Sequence, residues 1–408
     1  MKLLTVDTLE EAREKVWARV KNRPLKSEKV SLESSLGRVL AEDIFVPEDI
    51  PGFDRATVDG YAVLSGDTAG TGEAIPVFLR LVGSVSMGKP AGFSIQSGEC
   101  ASVPTGGLVP AGADAVVMLE YSESAGESVA VCEAVAAGAG LVLAGEDLKK
   151  GEILFRKGTL IRPHEAGALA AAGITGFQVF APPKLFIIST GDELVPAEQV
   201  PRPGEIRDIN SQTLKGAGLK RGYSIVSTKV IPDDEALLES AVREAAALSD
   251  MVVISGGSSQ GEKDNTEKII SRTASPGVFI HGLALKPGKP TILGWDDESQ
   301  TLLAGLPGHP VAALIVFELI LGWLSDKLSG LAPPFGIPAR ISCNVPSSPG
   351  RTLCLPVILH LDGDSYTAEP VFGKSGMITT LTRADGFILI DLNKEGLKKD
   401  EPVMVSLL

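Results

Sequence analysis

A set of acidic residues and two lysines carry the chemistry this sequence can offer. Asp192 and Glu193 close the segment Ser189-Thr190-Gly191-Asp192-Glu193, Asp234 closes Pro232-Asp233-Asp234, and Asp264 lies just beyond Gly256-Gly257-Ser258-Ser259-Gln260-Gly261. Each segment follows an apolar run that reads as a strand, so in a wound α/β sheet the loops can share one rim. Carboxylates gathered there suit Mg2+, which takes few protein ligands and completes its shell with water and substrate phosphates. Gly256 and Gly257 let backbone approach a ligand, and the N–H groups of the helix start that follows favour an anion. The segment is neither a P-loop nor a dinucleotide fingerprint. Lys286 and Lys289, in Lys286-Pro287-Gly288-Lys289-Pro290, can meet an oxyanion on a loop stiffened by two prolines.

Each residue also has a plainer explanation when taken singly. Asp233 or Asp234 sits where a helix N-cap belongs. Asp192 and Glu193 make an acidic turn, and the lysines can be solvated. His309, before a proline, can be packed or exposed rather than catalytic. Asp59 can form an Asx-turn with Gly60, and Thr105 and Asp147 can be turn residues. The functional reading rests on the joint order of these motifs.

The elements that must position them follow from pattern. Thr8 to Lys21 reads as a helix capped by Thr8, and Ser31 to Glu42 as a second helix with Leu32, Leu36, Val39 and Leu40 on one side. From Phe45 to about Lys150, Val, Ile and Phe segments broken by Gly and Pro predict a β-rich module. A helix follows over His164 to Ala172. Residues 183 to 330 alternate strand and helix, which predicts a mostly parallel sheet with helices on both faces and a ligand site beyond the strands' carboxyl ends. The Pro-rich stretch Leu331 to Pro338 reads as a linker, and the remainder as a small all-β domain.

The 408 residues leave room for several cores, and the formal net charge of −13 argues against a broad electrostatic grip on nucleic acid or anionic membrane. The four cysteines show no CxxC spacing, so disulfides and a zinc site are not expected and a reducing cytoplasm fits. The N-terminal segment lacks the apolar core of a signal peptide. The most apolar run, Val311 to Leu324, holds Glu318 and is too short to span a bilayer, so it reads as a buried helix.

The chain resembles the MoeA family of molybdopterin molybdenumtransferases, to which a region of gephyrin is also similar. The resemblance is carried by Phe53-Asp54-Arg55-Ala56-Thr57-Val58-Asp59-Gly60-Tyr61-Ala62, Thr105-Gly106, Gly145-Glu146-Asp147, the Ser189 to Leu194 segment, Gly256-Gly257, the Lys286 to Pro290 loop and Leu306-Pro307-Gly308, in family order over essentially the whole chain. It implies an α/β domain of the molybdopterin-binding type (1–26 and 174–330), a linking part (27–45 and 151–173), a β-rich domain (46–150) and a C-terminal β-barrel-like domain (331–408). It implies an enzyme that takes adenylated molybdopterin and molybdate, inserts molybdenum and releases AMP with Mg2+, as a homodimer. By motif, Asp59, Thr105, Asp147, Glu193, Asp234 and Asp264 match functional positions, and Glu193, Asp234 and Asp264 would hold the metal. Gly256, Gly257, Ser259, Lys286, Lys289, Pro307, Pro310 and Arg351 would contact substrates, the two lysines and the arginine meeting molybdate. Dithiolene sulfurs are soft ligands, so no Cys/His cluster is required.

Departures from the family pattern are Ala56 for the usual Ser, Ser259-Gln260 within the glycine-rich loop, His309 for the usual Asn, and Leu353-Cys354 after Arg351-Thr352. A titratable ring in place of an amide implies some pH sensitivity. Two other readings remain: a non-catalytic molybdopterin-binding or scaffold protein, and a molybdopterin adenylyltransferase-type enzyme.

Overall fold

A computed structural model describes residues 6–256, 262–330 and 335–408, the side chains of 262–264 excepted. Gly257, Ser259, the side chain of Asp264 and the first residues of the expected linker therefore lie outside the described residues. The chain forms two compact units, Ser27–Phe180, and Met1–Lys26 with Ala181–Leu408.

The larger unit is built on a six-stranded sheet. Helix α1 (Leu9–Val20) begins at a reciprocal cap: Glu11 N–H donates to Thr8 Oγ1 (3.2 Å) and Thr8 N–H donates to Glu11 Oε2 (2.8 Å). Strand β1 (Lys184–Thr190) is followed by α2 (Asn210–Lys220), β2 (Ser224–Ile231), α3 (Glu235–Leu248), β3 (Met251–Gly256), α4 (Glu262–Thr273), β4 (Pro276–His281), β5 (Ile292–Asp296), β6 (Thr301–Leu306) and α5 (Pro310–Val316). The strand order is β2-β1-β3-β6-β5-β4. β1 pairs parallel with β2 and β3, and β3 pairs parallel with β6, while β5 and β4 add antiparallel at the edge.

Side-chain alternation along the strands fixes the layers. Leu185, Ile187, Met251 and Val253 face α1, α2 and α5, whereas Phe186, Ile188, Val252 and Ile254 face α3 and α4. Strand β5 was not anticipated. It holds Gly294, which strand patterning disfavours, because a Cβ there would run into Ile270 Cγ2 of α4.

The apolar run at 311–324 is helical and buried, as expected, but not uniformly α. After α5 it continues through a π-helical turn, Phe317–Gly322, into α6 (Trp323–Leu328). Glu318 lies in that turn and pairs with Arg221 (2.5 Å), which also reaches Asp326 (3.2 Å). The Tyr223 hydroxyl donates to the Leu321 carbonyl at 2.7 Å. Tertiary partners thus occupy the segment where the α ladder is irregular.

Five strands, Ile337–Ile341, Thr352–Asp362, Ser365–Pro370, Gly386–Ile390 and Pro402–Leu407, pair in a closed ring around Ile341, Val357, Ala368, Ile388 and Val405. The C-terminal part is the expected barrel. Leu285–Lys286 adds to it, parallel to Thr352–Asp362.

The smaller unit carries a six-stranded sheet, Ala115–Met118, Gly60–Val63, Glu99–Val103, Val77–Ser84, Ser128–Val131 and Ser122–Ala125 in spatial order. The boundary expected at Gly173 falls before a strand, Gly176–Phe180, that pairs antiparallel with Ser27–Ser31 inside this unit. The helix expected over Ser31 to Glu42 is absent: only Leu32–Ser34 make a 3-10 turn. Gly37, at φ +76°, reverses the chain, and Arg38 and Leu40 then bond in extended fashion to Ile161 and Thr159. The helical spacing of Leu36, Val39 and Leu40 is thus overridden by pairing to a distant segment.

Candidate active site

The strand order reverses at β1. The chain leaves β1 to form β2 on one side and returns to form β3 on the other, and ligands of wound sheets bind beyond the carboxyl ends at such a point. Thr190 and Gly256 are paired in register there. A Cβ at Gly256 would stand 2.9 Å from Thr190 Cγ2, so glycine permits the two strand ends to close up.

Two cavities open at this edge, and Thr190, Gly256, Gly308 and His309 border both. The first, about 250 Å³, is walled by Leu238, Ile269, Ile292 and Ala312, with Asp233, Asp234 and Ser375 at polar positions. The second, about 260 Å³, is walled by Ser189, Glu193, Asp208, Asn210 and Ser255. Both are near the lower end of the size range of small-molecule sites.

The acidic residues divide between them. Glu193 faces the second cavity and Asp234 the first. Asp234 caps α3, its Oδ1 accepting from Leu237 N–H at 2.8 Å, so the plainer explanation holds for one of its oxygens. Asp233 accepts from Thr190 Oγ1 at 2.7 Å, and its own N–H donates to Asp192 Oδ1 at 3.0 Å. Among the described residues, no group of three or more His, Cys, Asp or Glu stands close enough to hold a metal by itself.

Pro307 borders the first cavity and Pro310 the second. Lys286 and Lys289 part company. Lys286 lines a third cavity, about 380 Å³, with Arg351, Ser347 and Ser348. The pairing of Lys286 with Leu353 sets that meeting, and Pro287 and Gly288 carry the same loop to the first cavity. Gly288 has φ +130°, and a Cβ would stand 2.7 Å from Val316 Cγ2, so no side chain fits. Lys289 is exposed and lines none of the three cavities.

Asp59, Thr105 and Asp147 lie on exposed loops of the smaller unit. Asp59 Oδ1 accepts from Thr105 N–H (2.7 Å) and Thr105 Oγ1 (3.1 Å), so the two residues form one loop-to-loop tie. Asp147 is held through its backbone, its N–H donating to the Ile50 carbonyl at 3.1 Å.

Sequence reading passed over Asp208, Asn210 and Ser375, which no short motif marks. They reach the crevice through contacts far apart in the chain, such as Asn210 Nδ2 to the Gly308 carbonyl at 2.7 Å and Ser375 Oγ to His309 Nδ1 at 2.7 Å. None of the four cysteines borders either of these two cavities, and burial pushes the Cys100 thiol up to about 11 and the Cys354 thiol higher still.

The larger unit thus joins a wound α/β sheet, with its crevice at the switch point, to a C-terminal β barrel, and the smaller unit is β-rich. Residues 7–173 match the MoeA N-terminal region (domain I and II), 186–326 the probable molybdopterin binding domain, and 338–408 the MoeA C-terminal region (domain IV). The chain belongs to the MoeA family. It is similar to the molybdopterin molybdenumtransferase of Bacillus subtilis, 30% identical over 394 residues, covering 94% of this chain and 90% of that one. The molybdopterin molybdenumtransferase of Haemophilus influenzae is 29% identical over 406 residues, 98% of each chain. The crystal structure of a molybdopterin biosynthesis MoeA protein from Pyrococcus horikoshii is 37% identical and covers 99% of both chains, with a TM-score of 0.83. Among the described residues, no helix is long and apolar enough to cross a membrane.

Proposed function

We propose that the protein is a molybdopterin molybdenumtransferase, taking adenylated molybdopterin and molybdate and releasing AMP and molybdenum-loaded cofactor in the cytoplasm. The observation that carries this reading is the cationic cavity of Lys286 and Arg351 beside a two-lobed crevice. A tetrahedral dianion fits a pocket with a lysine point charge, an arginine fork and two serine hydroxyls. The neighbouring crevice offers space for the organic substrate.

Lys286 and Arg351 hold molybdate against the loop that continues into the first lobe. Pro307 and Pro310 shape the wall facing the cofactor, Gly256 brings backbone to it, and Gly257 is assigned to the same substrate by its motif. Ser259 adds a hydroxyl and Lys289 supplies long-range positive charge. Glu193, Asp234 and Asp264 are hard oxygen donors of the kind that suits Mg2+, and Asp234 keeps one oxygen uncommitted by its cap. Bound there, Mg2+ would neutralise anhydride oxygens and make AMP a better leaving group. Asp59, Thr105 and Asp147 are assigned functional roles by their motifs, Asp59 and Thr105 as one tied pair. The functional form is a homodimer.

The test is to incubate purified protein with adenylated molybdopterin, Mg2+ and molybdate and to follow AMP. AMP release that depends on molybdate is expected. Its absence would overturn the reading, and AMP transfer from ATP to molybdopterin would point to an adenylyltransferase instead.

A further inference from the structure

The buried helix behind the crevice changes type in its middle. Between α5 and α6 the ladder passes from α to π at Phe317–Gly322. Trp323 N–H donates to the Glu318 carbonyl, five residues back, and to that of Ile320, passing over Leu319, which an α ladder would use. The Leu319 carbonyl accepts from Arg13 Nε of α1 at 2.9 Å. The Leu321 carbonyl accepts from the Tyr223 hydroxyl at 2.7 Å, and the Tyr223 ring meets Phe317 edge-on with centroids 6.1 Å apart. Burial pushes the Tyr223 hydroxyl above the usual phenol range, so it stays a donor. Two side chains from distant segments thus hold carbonyls of one turn.

A π turn offsets its two flanking helices by one residue, about 100° of rotation relative to an unbroken α-helix. Both flanks are anchored, and to different surroundings. On the α6 side, Ser325 Oγ donates to the Arg221 carbonyl at 2.7 Å, Asp326 pairs with the Arg221 guanidinium at 3.2 Å, and Lys327 Nζ lies 5.5 Å from the centroid of Trp17. The α5 side faces the crevice. Ala312 borders its first lobe and Pro310 its second, and Val311 N–H donates to the Ser375 carbonyl at 3.2 Å. Val316, one helical turn on from Ala312, is the surface against which Gly288 of the Lys286–Pro290 loop sits, with no room for a Cβ. One rotational phase of α5 therefore sets both the crevice wall and the seat of the loop that leads to the cationic cavity.

We propose that the π turn is a register device that presents α5 to the crevice, with Arg13 and Tyr223 as positioning residues of the reaction. The inference rests on molybdenum transfer being that reaction. Neither residue borders the crevice or the cationic cavity. They act by holding the carbonyls that fix the phase of α5. Relaxation of the turn toward α would rotate Pro310 and Ala312 away from the lobes and lift Val316 from Gly288. Each substrate meets mainly one of the two surfaces, whereas transfer needs both aligned. Loss of phase therefore lowers turnover more than it weakens capture of either substrate.

The experiment uses Tyr223→Phe, which removes the hydroxyl and keeps the ring on Phe317, and Arg13→Met, which removes the donor to Leu319. Each is assayed well below its own melting temperature. In both, kcat for molybdate-dependent AMP release is expected to fall about tenfold, with KM for molybdate and for adenylated molybdopterin within about twofold of wild type. Amide exchange over residues 306–316 is expected to be about fivefold faster in Tyr223→Phe, the effect of one lost hydrogen bond. Wild-type kcat in either folded variant, or a rise in either KM as large as the fall in kcat, overturns the positioning role. Exchange that quickens only within 317–323 overturns the coupling of the turn to α5. If Tyr223→Phe does not fold, Arg13→Met carries both measurements. Wild type without molybdate-dependent AMP release overturns the underlying reaction, and the exchange measurement then still decides the register device.

Discussion

His309 Nδ1 lies 2.7 Å from Ser375 Oγ, joining the loop after β6 to a loop of the C-terminal barrel at the rim of the first cavity. Gly376 packs against the same ring, 3.7 Å from His309 Cδ2 in the place where its own Cβ would be. Ser375→Ala removes the tie, and kcat/KM is expected to fall about fivefold, the ~1 kcal/mol of one hydrogen bond. His309→Asn retains a polar partner for Ser375 and should lose less. Steady-state kinetics of the two variants check the order, and an equal loss in both would contradict the role given to this pair.

Gly60 illustrates a position where the sequence motif has a steric cause. A Cβ there would be driven into the Val117 carbonyl of the adjacent strand. Gly60→Ala should destabilise the smaller unit by about 3 kcal/mol, the upper part of the overpacking range, which thermal denaturation measures. A wild-type melting temperature would show that the sheet accommodates the methyl group.

Glu165, buried at the start of helix Pro163–Ala171, is pulled from 4.5 down to about 2, chiefly by side-chain hydrogen bonds from Arg162 (2.5 and 3.0 Å). Its folded-state value is depressed, so its contribution to stability is fully present above the unfolded value of 4.5 and is lost as pH falls through about 2. Glu165→Gln should therefore melt below wild type near neutral pH. The gap should close as pH is lowered from 4.5 to about 2. A gap that stays constant across that window would exclude this ion pair as its source.

Arg221 serves two acids at once, Glu318 in the π-helical turn and Asp326 in α6, with burial raising Asp326. Arg221→Met leaves Glu318, whose side chain is 7% exposed, without its cation. A loss of about 3 kcal/mol is expected in denaturant unfolding, since removing one member of a buried pair strands the other charge. Arg221→Lys keeps the charge but not the fork, and should fall between the two.

The fold was legible where local and global preferences agree. Thr8 with Glu11 announces α1, and the alternation after Lys184 announces a wound sheet whose crevice lies where Thr190 meets Gly256. It was not legible at Leu36 to Leu40, where Gly37 and a distant partner decide the conformation, nor at β5, whose Gly294 exists for α4. Of the motif residues, Glu193, Asp234, Gly256, Pro307 and Pro310 border the crevice, and Lys286 and Arg351 meet in a separate cavity. No motif marks Asp208, Asn210 or Ser375, whose places arise from partners that only folding brings near. Lys286 and Lys289 look equivalent in the sequence, yet strand pairing to the barrel takes only Lys286 into the cavity with Arg351.

That asymmetry gives the most direct measurement of the central claim, that the cavity of Lys286 and Arg351 captures molybdate. The molybdate dependence of AMP release should be measured for wild type, Arg351→Met and Lys289→Met. Loss of charge-assisted hydrogen bonds predicts that Arg351→Met raises the KM for molybdate about 10- to 100-fold, with Lys289→Met shifting it far less. An unchanged molybdate KM in Arg351→Met, in a protein that melts like wild type, would contradict it.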